Sequence, residues 1–262
     1  MHELVENYWG LPVAKNYLLL TATISPETGQ SSLLIQNPEE RLLEYEKALQ
    51  YYHRNFDRLR LSGLIFVENS DFDLSLISKK YPSGKFEWIS APRTPLAGGI
   101  HRGYGEFLMI DYAFRNSLYL TSMSPSDVVW KVSGRYVLKN LGRMIFFAPD
   151  DYDVYADIRK NWVELSVISW SKKGFLEYFQ PCIEEMKVDF PPEVILARAF
   201  DGDRSMNVVS KFTWLPYING RRGANGVPYM SARSTLRHFF AQAMNVARIC
   251  YRHAFGKDGH VE

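Results

Sequence analysis

Val128-Val129-Trp130-Lys131-Val132-Ser133-Gly134-Arg135-Tyr136 is the stretch on which the reading of the fold turns. Val128-Val129-Trp130 is short, β-branched and aromatic, as a buried strand is. Lys131 to Tyr136 then reads as a cation-bearing turn at its carboxyl end. Upstream lie three further strand patterns. Tyr17 to Ile24 is the first, closed by Ser25-Pro26; Leu61 to Val67 is the second, followed by Glu68-Asn69-Ser70; Phe86 to Ile89 is a short third. Helical patterns separate them. Asn37-Pro38-Glu39-Glu40 supplies an N-cap, a proline for the first helical position and an acidic first turn. Leu42, Leu43, Tyr45, Leu49 and Tyr52 then recur at helical spacing to about Asn55. Phe72 to Lys80 suggests a short helix. A longer one runs from about Tyr104 to Asn116, with Phe107, Leu108, Ile110, Asp111 and Phe114 on one face. Strands alternating with crossover helices predict an α/β fold: a mostly parallel sheet flanked by helices.

Downstream the pattern changes. Met144 to Phe147 and Trp162 to Trp170 read as strands, Lys172 to Met186 and Pro191 to Phe200 as helices, and Val208 to Tyr217 as another strand. A glycine-rich loop, Asn219 to Gly226, precedes a helix from about Ser231 to Phe255. With no internal repeat and no low-complexity linker, the chain is expected to form one domain. Within it residues 1–142 and 143–230 would form two halves, followed by a basic C-terminal helix over 231–262.

The 262 residues, 46% hydrophobic and 15% aromatic, suffice for a large core and exclude global disorder. Cys182 and Cys250 make neither a disulfide framework nor a metal-ligand spacing, which suits a reducing compartment. The start has no signal-peptide pattern, and no apolar run reaches the ~18–20 residues that cross a bilayer. The expected location is the cytoplasm, with peripheral contact at the inner face of the cytoplasmic membrane. Net charge is only +2, but Arg204 to Lys257 holds nine Lys or Arg and no Asp or Glu. That asymmetry points to an anionic partner (a phosphorylated ligand, a membrane surface or nucleic acid) or to a solvated basic face. Arg233, Arg237, Arg248 and Arg252 share their helix with Phe239, Phe240 and Met244, a pattern that suits an anionic leaflet. Nucleic acid is the weakest of these, because the aromatic stacking motifs of RNA-binding modules are missing. No zinc-hydrolase histidine pair and no Gly-X-Ser-X-Gly elbow occurs.

Ligands of open α/β sheets gather beyond the carboxyl ends of the strands. Four segments are expected there: Thr21-Ala22-Thr23, Glu68-Asn69-Ser70, His101-Arg102-Gly103-Tyr104-Gly105-Glu106, and Lys131 to Tyr136. Hydroxyls, amide side chains, a glycine-rich lead into a helix and fixed cations together form a seat for an anionic group such as a diphosphate. The third segment lacks the Gly-Lys-Ser/Thr ending of a P-loop, and it follows the wrong strand for a dinucleotide fingerprint.

Leu20-Thr21-Ala22-Thr23-Ile24, Phe66-Val67-Glu68-Asn69-Ser70, Gly103-Tyr104-Gly105-Glu106, and Lys131-Val132-Ser133-Gly134-Arg135-Tyr136 with Asn140 resemble bacterial surface-polysaccharide glycosyltransferases of the lipopolysaccharide-core and capsule group. Tyr155 to Arg159, Ser171 to Phe175 and Leu215 to Gly220 extend the likeness. The resemblance implies a GT-A-like nucleotide-sugar fold, with 1–142 the nucleotide-sugar-binding half and 143–230 the acceptor-side half, a nucleotide-sugar donor and a glycan or lipid-linked glycan acceptor. It implies donor contacts from Thr21, Ala22, Thr23, Asn69, Ser70, Gly103, Tyr104, Gly105, Glu106, Lys131, Gly134, Arg135 and Tyr136. Many GT-A enzymes carry a metal-holding Asp-X-Asp where this chain has Gly134-Arg135. The expectation is therefore no cofactor and no divalent metal, with Lys131 and Arg135 on the diphosphate. Asp201-Gly202-Asp203 and Asp150-Asp151-Tyr152-Asp153 are the alternative metal sites. An inverting transfer needs a general base. Glu193 opens an apolar helix where the related enzymes carry a Glu, and Asp157 and Glu106 stand in reserve; a retaining enzyme would need none. The rival reading is a non-catalytic nucleotide- or glycan-binding protein on the same fold.

Overall fold

The computed structural model describes residues 14–27, 35–94, 101–187, 190–201, 207–221, 227–229 and 240–246. A seven-stranded sheet forms its centre: β1 (Asn16–Ala22), β2 (Gly63–Glu68), β3 (Phe86–Ser90), β4 (Val128–Ser133), β5 (Val154–Tyr155), β6 (Val167–Ser171) and β7 (Val208–Val209). In space the order is β7-β5-β6-β4-β1-β2-β3. β1 pairs in parallel with both β2 and β4, and β2 with β3. β6 runs antiparallel between β4 and β5. The expected α/β class with a mostly parallel sheet holds.

Residue alternation sends side chains to two cores. Leu18 and Leu20 face α1 (Pro38–Asn55), where Tyr45, Ala48, Leu49 and Tyr52 are buried. Tyr17 and Leu19 face α2 (Arg102–Asn116) and α3 (Pro192–Asp201). α1 starts as its sequence dictates: the Asn37 side chain accepts from Glu39 N at 2.8 Å and Glu40 N at 3.4 Å, and Pro38 needs no donor. α2 is capped by His101, whose Nδ1 accepts from Gly103 N at 3.1 Å.

Several sequence expectations need correction. The fourth strand runs on to Ser133, so Lys131 lies within it and not in the turn. Met144 to Phe147, read as a strand, is the end and C-cap of the helix Leu141–Phe146, since short apolar runs do not separate strand from buried helix. Trp162 to Trp170 is broken between a hairpin (Ile158–Arg159 with Trp162–Val163) and β6. Lys172 to Met186 is a series of short turns with a π-helical stretch over Phe175–Phe179, where Pro181 supplies no N–H to continue an α-helical ladder. Val208 to Tyr217 pairs only at Val208–Val209; farther on, Thr213 N donates to Tyr155 OH and Tyr217 O accepts from Lys139 N. Most of the helix expected from Ser231 to Phe255 lies outside the described residues, and 240–246 is helical. Among the described residues no helix is long and apolar enough to cross a membrane.

Candidate active site

A cleft of about 370 Å³ opens at the carboxyl edge of β1, β2 and β4. Of the residues expected there, Thr21, Ala22, Thr23, Asn69, Gly103, Gly105, Glu106, Gly134, Arg135, Tyr136 and Glu193 line it. The chain folds tightly enough here that two of its glycines have no substitute. A Cβ on Gly134 would sit 2.6 Å from the Thr21 carbonyl oxygen, and one on Gly103 2.3 Å from the Pro192 ring. Gly134 lets the turn after β4 lie against β1, where its N–H donates to Thr21 O at 2.9 Å. Gly103 lets α2 meet the start of α3.

Three expected donor contacts sit behind the cleft wall. Ser70 is buried; its hydroxyl accepts from Ser25 N at 2.7 Å and donates to Glu68. Glu68 is likewise internal, accepting from Ile24 N at 3.0 Å and Ser70 N at 2.9 Å. Both carboxylate and hydroxyl thus shape loops. Tyr104 packs in the core with the ring 5.7 Å from Lys187 Nζ. Lys131, sharing a strand face with Val129, is 1% exposed. Its Nζ pairs with Glu106 Oε1 at 2.6 Å and donates to Leu165 O at 2.9 Å.

Arg135 reaches the cleft but is not a lone charge. Its Nη1 contacts Glu44 Oε2 at 2.6 Å, while the other oxygen of Glu44 takes Arg221 at 2.8 Å. Arg221 also pairs with Glu40 at 2.7 Å, so α1 holds both Arg135 in the turn after β4 and Arg221. Asp157 lies in an adjoining groove, where it pairs with Arg159 at 2.9 Å. Asp153 is tied to Ser171, Lys173 and the Asn207 backbone. Gly202 and Asp203 fall outside the described residues. Among those described, no three His, Cys, Asp or Glu stand close enough to hold a metal ion.

Among the described residues, the sequence reading missed two cations that line the cleft, Arg93, which pairs with Asp71 at 2.6 Å, and Arg41. Arg41, on the buried stripe of α1, is 4% exposed and lines the cleft. Its Nε donates to Thr23 O at 2.6 Å, its Nη1 to Ile35 O at 3.1 Å and its Nη2 to Tyr45 OH at 3.2 Å. All three partners are neutral, and among the described residues no carboxylate forms an ion pair with it. A buried charge without a counterion is expensive, and an incoming anion relieves it. The signal was present: an arginine in register with Tyr45, Ala48, Leu49 and Tyr52 on an otherwise apolar helix face.

The opposite wall is acidic. Desolvation holds the Glu193 carboxyl above its ordinary value; the neighbouring Glu106 and Glu164 carboxylates push the same way, against a backbone hydrogen bond and Lys131. Glu106 accepts from Thr21 Oγ1 at 2.7 Å in addition to its pair with Lys131. Glu164 accepts from Ser166 Oγ at 2.6 Å. Trp162, Ser166 and Tyr229 complete this side. One cleft thus carries a buried guanidinium, Arg41, and a carboxyl of raised proton affinity, Glu193.

No family model matches this chain, and no curated protein does. Solved structures of similar outline include the inositol-1-phosphate CTP transferase from T. maritima, with 11% identity, a TM-score of 0.47, and 87% of this chain and 96% of that one covered. The galactosyltransferase LgtC, in complex with donor and acceptor sugar analogs, has 7% identity and a TM-score of 0.45, with 70% of each chain covered. A 4-diphosphocytidyl-2C-methyl-D-erythritol synthase has 8% identity and a TM-score of 0.44, covering 89% of this chain and 100% of that one. At these scores the likeness decides neither family nor activity; that question falls to the cleft.

Proposed function

We propose that the chain is a glycosyltransferase that moves a sugar from a nucleotide-sugar donor to a glycan acceptor. The observation that carries this is the presence, in one cleft, of a buried arginine that forms no ion pair among the described residues and of a desolvated glutamate. In this reading Arg41, with Arg135, meets the diphosphate, and Thr23 and Asn69 meet the nucleoside side. An acceptor hydroxyl oxygen attacks the anomeric carbon. Its proton passes to the Glu193 carboxylate as the bond to the diphosphate breaks, the electron pair remaining on the phosphate oxygen. A raised proton affinity makes the Glu193 carboxylate a better acceptor of that proton. Charge on the leaving diphosphate is stabilised by fixed guanidinium groups, so transfer is metal-independent. The sequence resemblance adds a finer expectation, a surface-polysaccharide or lipopolysaccharide acceptor, lipid-linked and met at an anionic membrane.

One observation favours the rival, a nucleotide- or glycan-binding protein without catalysis: Lys131 and Arg135 already hold carboxylate partners. A thermal-shift screen of UDP-, GDP-, CMP- and ADP-sugars with and without manganese, followed by donor hydrolysis without acceptor, separates the two. The transferase reading expects stabilisation by one donor class and slow hydrolysis that a chelator leaves intact. Binding without hydrolysis or transfer to any glycan would leave the binding module, and chelator-abolished turnover restored by manganese would overturn metal independence.

A further inference from the structure

Arg221 lies outside the cleft lining, yet it shares a counter-charge with a residue that lines it. Its Nε and Nη2 both donate to Glu44 Oε1, at 3.0 Å and 2.8 Å, and its Nη2 also reaches Glu40 Oε1 at 2.7 Å. Arg135, which does line the cleft, takes the other oxygen of Glu44 through Nη1 at 2.6 Å. Helical spacing explains the grouping. Glu40 and Glu44 stand one turn apart on α1, as do Arg41 and Tyr45, so a carboxylate row runs beside the row that lines the cleft. The backbone fixes Arg221 from the other side. Ile218–Asn219 pairs antiparallel with Val137–Leu138, Arg221 itself bridges to Pro228, and Tyr229 N donates to Gly220 O at 3.0 Å.

A carboxylate carries one charge, and here two guanidiniums draw on it. The Glu44 side chain is 14% exposed and that of Arg135 9%, whereas that of Arg221 is 42% exposed. An anion that takes hold of Arg135 loosens its grip on Glu44. Were Arg135 the sole partner, the anion would leave a buried carboxylate stripped of its counter-charge, which is strongly destabilising. Arg221 removes that obstacle, because it already holds the same carboxylate by two N–H groups. We infer that Arg221 is a positioning residue for the anion site: it is the standby counter-charge of Glu44 that lets Arg135 turn from the carboxylate to the phosphates of a ligand. The inference rests on Arg41 and Arg135 being the seat of the donor diphosphate. Binding free energies are reciprocal, so a diphosphate on Arg135 in turn tightens Glu44 on Arg221. Coupling between two sites starts at about five-fold, and the solvent around Arg221 keeps it near that end.

The test is a double-mutant cycle in the full chain: parent, Arg221→Gln, Glu44→Gln and the double variant, titrated calorimetrically with UDP, GDP, CDP and ADP and with their nucleosides at one ionic strength. Arg221→Gln should weaken the diphosphate that the parent binds best by about five-fold. Nucleoside affinity should stay within about two-fold, which a merely structural role would not respect. In the Glu44→Gln background the same substitution should change diphosphate affinity by less than about two-fold, since no carboxylate is left to be stranded. Arg221→Lys keeps the charge and should bind within about two-fold of the parent. Differential scanning fluorimetry confirms that each variant is folded before it is titrated. An unchanged affinity in Arg221→Gln overturns the inference. So does an equal loss in both backgrounds, the mark of a general field of positive charge, an equal loss for nucleosides, or a loss in Arg221→Lys as large as in Arg221→Gln. Failure of the underlying reading looks different: the parent chain itself would bind no diphosphate more tightly than its nucleoside.

Discussion

Glu44→Gln should move stability and ligand affinity in opposite directions. In the free protein Glu44 neutralises Arg135 at 2.6 Å and Arg221 at 2.8 Å. With charge centres about 4 Å apart and an effective dielectric constant of about 20, the Arg135 pair is worth roughly 4 kcal/mol before solvation is counted. Both side chains of that pair are largely buried, at 9% and 14% exposure, so removing one partner leaves a charge that water reaches poorly. The Arg221 side chain is 42% exposed, which holds its pair to about 1 kcal/mol or less. The glutamine amide oxygen keeps a neutral hydrogen bond. The net loss is about 2–3 kcal/mol, or roughly 5–10 °C in Tm for a chain of this size. The same change frees Arg135 for an anion in the cleft. A charge-assisted hydrogen bond contributes about 1.5–3 kcal/mol, so a nucleoside diphosphate should bind ten-fold or more tightly while the uncharged nucleoside is unaffected. Differential scanning fluorimetry on the free protein and titration calorimetry with UDP, GDP, CDP and ADP against their nucleosides read both effects. Arg221→Gln is the control, with a small stability loss and no gain in affinity. A Glu44→Gln protein that loses stability and also binds diphosphates no better, or worse, would show that Arg135 serves the fold alone.

Arg41→Gln should weaken nucleoside diphosphate binding by about ten-fold or more and leave nucleoside binding within two-fold, since only the charged end of the ligand answers a buried guanidinium; calorimetry checks it. Glu193→Gln should lower transfer or donor hydrolysis by about 10²–10⁴-fold. It should also raise Tm above neutral pH and change it little at acid pH. A carboxyl whose proton affinity is raised in the folded state is easily buried while protonated, and it opposes folding once pH passes its folded value; Tm measured from pH 4 to 8 tests the sign. Gly134→Ala places a Cβ 2.6 Å from the Thr21 carbonyl oxygen and 3.1 Å from the Tyr45 ring. Backbone cannot swing aside as a side chain does, so the loss should be about 1–3 kcal/mol by chemical denaturation.

Much of the sheet was legible because its signals are local. The N-cap and first-turn carboxylates of α1, the apolar runs of β1 and β2, and the glycines at positions 103 and 134 state their conformations within a few residues. The region after Tyr136 resisted because its backbone finds distant partners: the segment after β7 bonds to Tyr155, Asn140 and Lys139. No periodicity encodes such contacts. Lys131 shows the same limit inside a strand. Its charge suggested a ligand, but the alternation of β4 turns it inward onto Glu106.

Sequence alone was enough to determine the α/β alternation, the strand edge at which the cleft opens, and most of the expected residues that line it. Only the tertiary structure decided which charges are available there. Ion pairing depends on residues far apart in the chain: Arg135 shares its charge with Glu44 and Lys131 pairs with Glu106, while Arg41 is buried among neutral oxygens. A cation's chemistry is set by the field it meets, and that field exists only once the chain has brought its distant carboxylates into place.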